Sequence, residues 1–183
     1  IRDSILAISG ELDSTAYGSR IRGNISDDYG YEHDELIRSI YMPVLRNAIP
    51  ELLETFNYTD TSFVTGQRQR GIVAQQALSM LNHPWFAKRA LAAADRNLRL
   101  DLQSELPTEY DELENRIRYA FLQTLSRHPD QEELKSAKQF VNTIHQLPST
   151  LAEASGADDK TIRQALAQLY HGLFATAEFR QLD

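Results

Sequence analysis

The chain has 183 residues and a mass of 20.8 kDa, which is the size of one ordinary domain. Nineteen Lys and Arg against 26 Asp and Glu give a net charge of −7, which argues against a general nucleic-acid binder and against adhesion to an anionic membrane. The absence of cysteine excludes disulfide scaffolds, thiolate zinc sites, cysteine nucleophiles and covalently attached c-type haem in this chain.

The first third of the chain predicts a helix end, a long loop, a short strand and a short helix. Residues 1–12 have the apolar spacing of a helix that ends at Gly10, and the lack of an initiator Met suggests a piece of a longer polypeptide. Residues 13–36 are rich in Gly, Ser, Asp, Asn and Tyr without an apolar period, which is typical of an irregular loop. Residues 38–44 are the one β-prone run, and residues 50–56 predict a short helix that begins at a proline.

From Val73 onward the pattern is helical, with a break at Pro84 and capping-box patterns at residues 108–111 and 130–133. The apolar positions recur every three or four residues, and they are Ala77 and Leu81; Phe86, Ala90, Ala94 and Leu98; Leu113, Ile117, Phe121 and Leu125; Leu134, Ala137, Val141 and Ile144; Ile162, Leu166, Leu169 and Leu173. The sequence therefore predicts a mainly α fold: a bundle of five or more amphipathic helices with a long irregular N-terminal loop and at most one short strand or small hairpin.

The domain organisation follows from the composition. No internal repeat or low-complexity linker divides the chain, so residues 1–183 are expected to form a single helical domain. The composition changes near residues 102–107, which separates possible lobes at 1–103 and 107–183. No apolar run approaches the ~20 residues that cross a bilayer, so no membrane insertion is expected.

The sequence offers no catalytic residue, metal site or cofactor site. Five histidines occur without an HExxH-like spacing, and His33 among the acidic residues 27–35 is the only group with ligand character. A solvated loop explains that group better, and half-buried, hydrogen-bonded side chains explain His145 and His171 better than metal binding does. No nucleophile elbow or phosphate loop appears. A glycosidase-type carboxylate pair stays open, because its geometry depends on the fold.

Arginines and side-chain amides concentrate between residues 38 and 86, and residues 68–99 are locally basic. Guanidinium and amide groups recognise carboxylates, phosphates, sulfates and sugar hydroxyls, and the single tryptophan offers either a stacking platform or the closure of a helix corner. The favoured interpretation is structural, with arginines that pair with the acidic loop at 27–35. The candidate ligand or structural network comprises Arg38, Arg46, Asn47, Thr65, Arg68, Arg70, Gln76, Asn82 and Trp85.

Three motifs give the chain a family resemblance. Residues 38–53 read RSIYMPVLRNAIPELL, residues 63–68 read FVTGQR, and residues 75–86 read QQALSMLNHPWF. Together they resemble the planctomycete-specific C-terminal domain of unknown function, which is found in large exported proteins that often also carry a cytochrome-c-like domain. Residues 120–134 and 166–183 also agree with that family's pattern. The chain departs from it at residues 71–75, where GIVAQ replaces a TTVPT stretch, so a ligand held by those hydroxyls would be bound differently here or not at all.

The resemblance implies export to the periplasm or the exterior and upstream domains of the same polypeptide as partners, but it transfers no activity and no haem. We expect a non-catalytic helical structural or interaction module of a secreted multidomain protein, with Arg46 and Arg68 buried against carboxylates or carbonyls. The alternative is a carbohydrate- or anionic-ligand-binding part of an enzyme that acts on polysaccharide, completed by an upstream domain and contacting an anionic glycan. Nucleic-acid binding is not expected, because the acidic charge opposes contacts with phosphate.

Overall fold

The computed structural model describes residues 1–15, 35–42, 44, 49–59, 64, 66, 73–100, 111–146 and 157–180. In these ranges the chain forms eight α-helices and one 3-10 helix at Ser39–Tyr41, with no strand longer than the isolated bridge between Asp13 and Ile37. The helices are α1 Arg2–Ser9, α2 Glu51–Thr55, α3 Val73–Asn82, α4 Pro84–Arg99, α5 Glu112–Leu125, α6 Gln131–Gln146, α7 Ala157–Phe174 and α8 Ala177–Arg180. The mainly α prediction is confirmed.

Helices α4 and α7 form the centre of the bundle, since their mutual contact is the most extensive between described helices. Helices α1 and α3 pack on α4, and α5 and α6 pack on α7. Burying one large apolar side chain contributes roughly 1.5–3 kcal/mol, so this core supplies the main stabilising force. Its largest fully buried apolar members are Tyr170, Phe86, Phe174, Ile5, Leu6, Met80, Ile117, Leu166 and Val141.

The helix ends follow the capping patterns of the sequence. The Asp130 side chain accepts from the backbone N–H of Glu133 at 2.8 Å, and the Glu133 side chain accepts from that of Asp130 at 2.9 Å, which is a reciprocal capping box. Gly10 ends α1 in the left-handed conformation with φ of 74°. Helix α5 begins later than expected, because Asp111 itself is the N-cap and accepts from the N–H of Glu114 at 2.7 Å. Residues 108–110 lie outside the described residues.

The strand predicted over residues 38–44 is wrong at its centre, where the chain forms the 3-10 helix Ser39–Tyr41. The reason is a carboxylate from α1: Asp3 accepts the Ser39 N–H at 2.9 Å and the Ser39 hydroxyl at 2.5 Å. These contacts cap the turn and remove the backbone donor that strand pairing would use. Residues 43 and 45–48 lie outside the described part of the chain.

The predicted inward face of α3 is also wrong by one position. Met80 is fully buried, whereas Leu81 is 49% exposed and Leu78 is 60% exposed. The carbonyl of Met80 contacts the Nε2 atom of His171 on α7 at 2.7 Å, which orients this turn of α3 toward the core. Helix α3 therefore leaves two leucines on its outer face. The predicted stripes of α4, α6 and α7 are confirmed by buried residues, which include Ala94, Val141 and Leu166.

Arg127 joins the α5–α6 corner to α8. Its guanidinium donates to Glu133 at 2.7 and 2.8 Å and to Glu178 at 2.7 and 2.8 Å. These hydrogen bonds hold the pKa of Glu133 down at about 2, from a usual value near 4.5, and they also lower the pKa of Glu178. A carboxyl group with a lowered pKa in the folded state stabilises the protein above its unfolded pKa and loses this contribution as the pH falls.

The hydrogen bonds between Arg127 and Glu133 predict a pH-dependent contribution to stability. Glu133→Gln keeps an acceptor for the Asp130 N–H but removes the charge, so wild type should be more stable than the variant above pH 5 by about 1 kcal/mol or less, because the group is partly exposed. The difference should shrink as the pH falls from 4.5 toward 2. Urea unfolding of both proteins at several pH values measures it, and a difference that does not change with pH would contradict the assignment.

The described part of the chain contains no helix that is both long and apolar enough to cross a membrane. Residues 101–110 lie outside it, so the division into lobes at 1–103 and 107–183 stays a prediction. The expected irregular loop at 13–36 is likewise described only at its two ends, residues 13–15 and 35–36.

Candidate functional site

The most deeply buried cation of the described chain lies where α4 meets the end of α1. The side chain of Arg89 is 2% exposed, and its Nη1 atom donates to Oε1 of Glu11 at 2.6 Å. The guanidinium carbon also lies 5.3 Å from the ring centroid of Trp85, within the range of a cation–π contact. Because a buried guanidinium is costly unless it is paired, the contact with Glu11 fixes the chain that follows α1 against α4.

A second buried arginine, Arg2, fastens the far end of the 13–36 segment. Its Nη1 donates to the carbonyl of Ile37 at 2.7 Å, and its Nη2 donates to the carbonyl of Glu35. Burial lowers the pKa of Arg2, which the neighbouring Asp3 partly offsets. The near end of the segment is held by the backbone, because the Asp13 N–H donates to the carbonyl of Leu36 at 2.8 Å. The two ends of the segment therefore lie side by side next to α1.

Two charged residues of α4, Arg96 and Asp95, make further contacts that stabilise the fold. Arg96 donates to the carbonyls of Ala7 and Ile8 at 2.7 and 3.1 Å, at the C-terminal end of α1, where the Ala7 carbonyl also accepts from the Gly10 N–H. The backbone angle of Gly10 favours glycine, and a β-carbon added there would stand 3.0 Å from Cδ of Arg96, which would have to shift by a few tenths of an ångström. Asp95 accepts from Arg163 on α7, and this bond lowers the pKa of Asp95.

Trp85 closes the corner between α3 and α4. Its backbone N–H donates to Nδ1 of His83, the N-cap of α4, at 3.1 Å. Its ring is buried, packs edge-on against Phe86 with centroids 5.1 Å apart, and lies beneath the Arg89 guanidinium. The ring is therefore used within the fold, as in the helix-corner interpretation, and presents no open face for stacking on a sugar.

The other predicted network residues are not brought to one place. Arg38 is 57% exposed, with Nε 3.9 Å from a carboxylate oxygen of Asp3. Gln76 is half-buried and Asn82 is exposed, both on α3. The remaining candidates lie outside the described residues, and so does the prediction that Arg46 and Arg68 are buried; these candidates are Arg46, Asn47, Thr65, Arg68 and Arg70.

An open groove of about 660 Å³ runs between α2, α3 and the start of α4. Its α2 side carries two glutamates, and its α3 side carries amides, a hydroxyl and an apolar side chain. Of the described members of the predicted network, which are Arg38, Gln76, Asn82 and Trp85, only Asn82 lines it. We call it the α2–α3 groove, and it is lined by Glu51, Glu54, Thr55, Asn57, Gln75, Leu78, Ser79, Asn82, His83 and Pro84.

The histidines show no arrangement for metal binding within the described ranges, where no three His, Asp or Glu side chains converge. His171 is half-buried and hydrogen-bonded to the Met80 carbonyl, as predicted. His83 is used as a helix cap. His33 and most of its acidic neighbours lie outside the described residues, as does the side chain of His145.

Sequence reasoning missed Arg2, Glu11 and the two glutamates of the groove. Arg2 and Glu11 belong to the predicted first helix region, where nothing in the local pattern singles them out. Glu51 and Glu54 fall in the helix expected after Pro50. The only available signal for those two was their i, i+3 spacing, which places both side chains on one helix face.

A family model described as "PSD1: Protein of unknown function (DUF1553)" matches residues 1–141. The chain belongs to this family. The resemblance inferred from the motifs is thereby confirmed at the level of a domain of unknown function. Comparison with the curated proteins and with the solved structures returns no match.

Proposed function

We propose that the chain is a non-catalytic helical module that packs against upstream domains of a secreted multidomain protein. The observation that supports this proposal is the use of the arginines of α1 and α4. Arg2 and Arg96 bind backbone carbonyls, and Arg89 binds Glu11. A site for an anionic polysaccharide needs such guanidinium groups in an open cleft, with free hydrogen-bond donors.

The charge of the open groove supports the same proposal. Among the described residues that line the α2–α3 groove are Glu51 and Glu54, and none of them is Lys or Arg. Carboxylates at the mouth of a groove repel sulfated or uronic-acid sugars. The larger setting, which comprises planctomycete origin, export and a cytochrome-c-like neighbour, is proposed from the motifs at residues 38–53 and 75–86. We expect the parent polypeptide in the periplasm or outside the cell, where cell fractionation would find it.

The module proposal is tested by association. The chain is immobilised and exposed to the remainder of its parent polypeptide, and biolayer interferometry is expected to show saturable one-to-one binding. In parallel, thermal shift is measured with sulfated and uronic-acid oligosaccharides, with an unrelated helical protein of similar net charge as the control. No association, together with a dose-dependent rise in Tm in the presence of a sugar, would replace the proposal with the carbohydrate-binding alternative.

A further inference from the structure

We infer that the α2–α3 groove binds a peptide segment in which a Lys or Arg stands next to an apolar side chain. This inference rests on the proposed role as an interaction module and names the surface and the chemistry of the partner. It begins from the two carboxylates of α2. Glu51 and Glu54 are both exposed, line the groove, and make no side-chain hydrogen bond or ion pair within the described residues.

Other carboxylates on the described helices contrast with this pair. Glu112 pairs with Arg116, Glu114 pairs with Arg118, and Glu133 pairs with Arg127. The fold thus neutralises these acids of α5 and α6 with arginines that lie four or six residues away. Helix α2 has no Lys or Arg in its sequence, and no cation in the described part of the chain pairs with its carboxylates, so they offer acceptors for a cation from a partner.

The opposite wall supplies apolar surface and backbone-binding groups. Leu78 lines the groove with 60% of its surface exposed, and Leu81, one turn on, is 49% exposed. Met80, in the same turn of α3, is the side chain that is buried in the core, so these leucines are not needed to hold α3 in place. Gln75, Ser79 and Asn82 add amide and hydroxyl groups, which can donate to and accept from a peptide backbone.

The composition of the lining favours a peptide over a sugar. Sugar sites commonly offer an aromatic face, but none of the described residues that line the groove is Trp, Tyr or Phe, and Trp85 is covered by Arg89. An exposed leucine beside two carboxylates matches an amphipathic cationic segment, since its apolar side chain covers the leucine while its ammonium or guanidinium group meets the glutamates.

The test uses fluorescence anisotropy with a fluorescein-labelled octapeptide of alternating lysine and leucine. Two further peptides of equal length serve as controls, one with glutamate in place of lysine and one with serine in place of leucine. We expect the lysine–leucine peptide to bind at least about tenfold more tightly than either control. Equal binding of the lysine–serine peptide would show that the charge of the protein attracts any cation, and would overturn the inference.

Matched variants then locate the binding. Glu51→Gln with Glu54→Gln should weaken binding about fivefold, whereas Glu112→Gln with Glu132→Gln, which removes the same charge from α5 and α6, should change it less than about twofold. Leu78→Ser should weaken binding, and Leu122→Ser, at an exposed leucine of α5, should not. The inference would be overturned if the two glutamate double variants weakened peptide binding equally, or if the two Leu→Ser variants did. Competition for the peptide by a neutral oligosaccharide would also overturn it.

The same variants separate this inference from the module proposal. If the chain associates with the remainder of its polypeptide and the double variant at Glu51 and Glu54 associates equally well, the groove is not the docking surface and only the inference fails. If the chain does not associate at all, the module proposal fails, whatever the peptides do.

Discussion

Replacing Arg89 by Met is expected to lower the free energy of unfolding by about 3 kcal/mol. Methionine retains most of the apolar stem, so the cost comes from the lost charge. Glu11 would keep a carboxylate that is 26% exposed and has no cation at 2.6 Å, and the Trp85 ring would lose the guanidinium above it. Urea unfolding at neutral pH measures the change. Arg99→Met, at an exposed position on the same helix, serves as the control and should cost about 0.5 kcal/mol or less.

A double-mutant cycle with Glu11→Gln separates the ion pair from packing. The double variant is expected to lose less free energy of unfolding than the sum of the two single losses, because it leaves neither charge without a partner. Strictly additive losses would mean that Arg89 acts only through its volume. If Arg89→Met lowers the free energy of unfolding no more than Arg99→Met does, the contact with Glu11 contributes nothing to stability.

The Arg89–Glu11 pair marks the limit of sequence reasoning for this fold. The charge density of residues 68–99 was visible, and the expected partners were the acids at 27–35 because they are clustered. The carboxylate that Arg89 binds lies 78 residues before it, at the end of α1. No local pattern encodes that distance, since it depends on how α1 crosses α4.

Features that depend only on neighbouring residues could be predicted, because the local sequence contains all the residues that form them. The Asp130–Glu133 capping box and the left-handed Gly10 depend on contacts within four residues, and the structure contains both. The residues around Ser39–Tyr41 predict a strand, but they form a 3-10 helix because Asp3, which is 36 residues away in the sequence, caps it. Several positions of α3 are apolar, so the sequence does not specify its inward face, and packing on α7 buries Met80 instead of Leu81.

The α2–α3 groove could be predicted only in fragments. Asn82 was a candidate because amides and arginines cluster near it in the sequence. The i, i+3 spacing of Glu51 and Glu54 predicts one shared helix face, but α2 and α3 meet across residues that carry no helical pattern. A groove between two helices is a tertiary feature, so its mixed lining of carboxylates, amides and leucine becomes apparent only in the folded chain.

Asn97→Ala is expected to lower the free energy of unfolding by about 2–4 kcal/mol, because Asn97 is fully buried where α4, α5 and α7 meet. Its side-chain amide donates to the Tyr170 hydroxyl and to the Arg116 carbonyl, both at 3.0 Å. Alanine would leave that carbonyl without this donor and open a cavity beside the ring of Tyr170. Thermal and urea unfolding measure the loss, with Asn142→Ala, at an exposed position on α6, as the control. Equal losses in the two variants would mean that packing holds this junction without the amide.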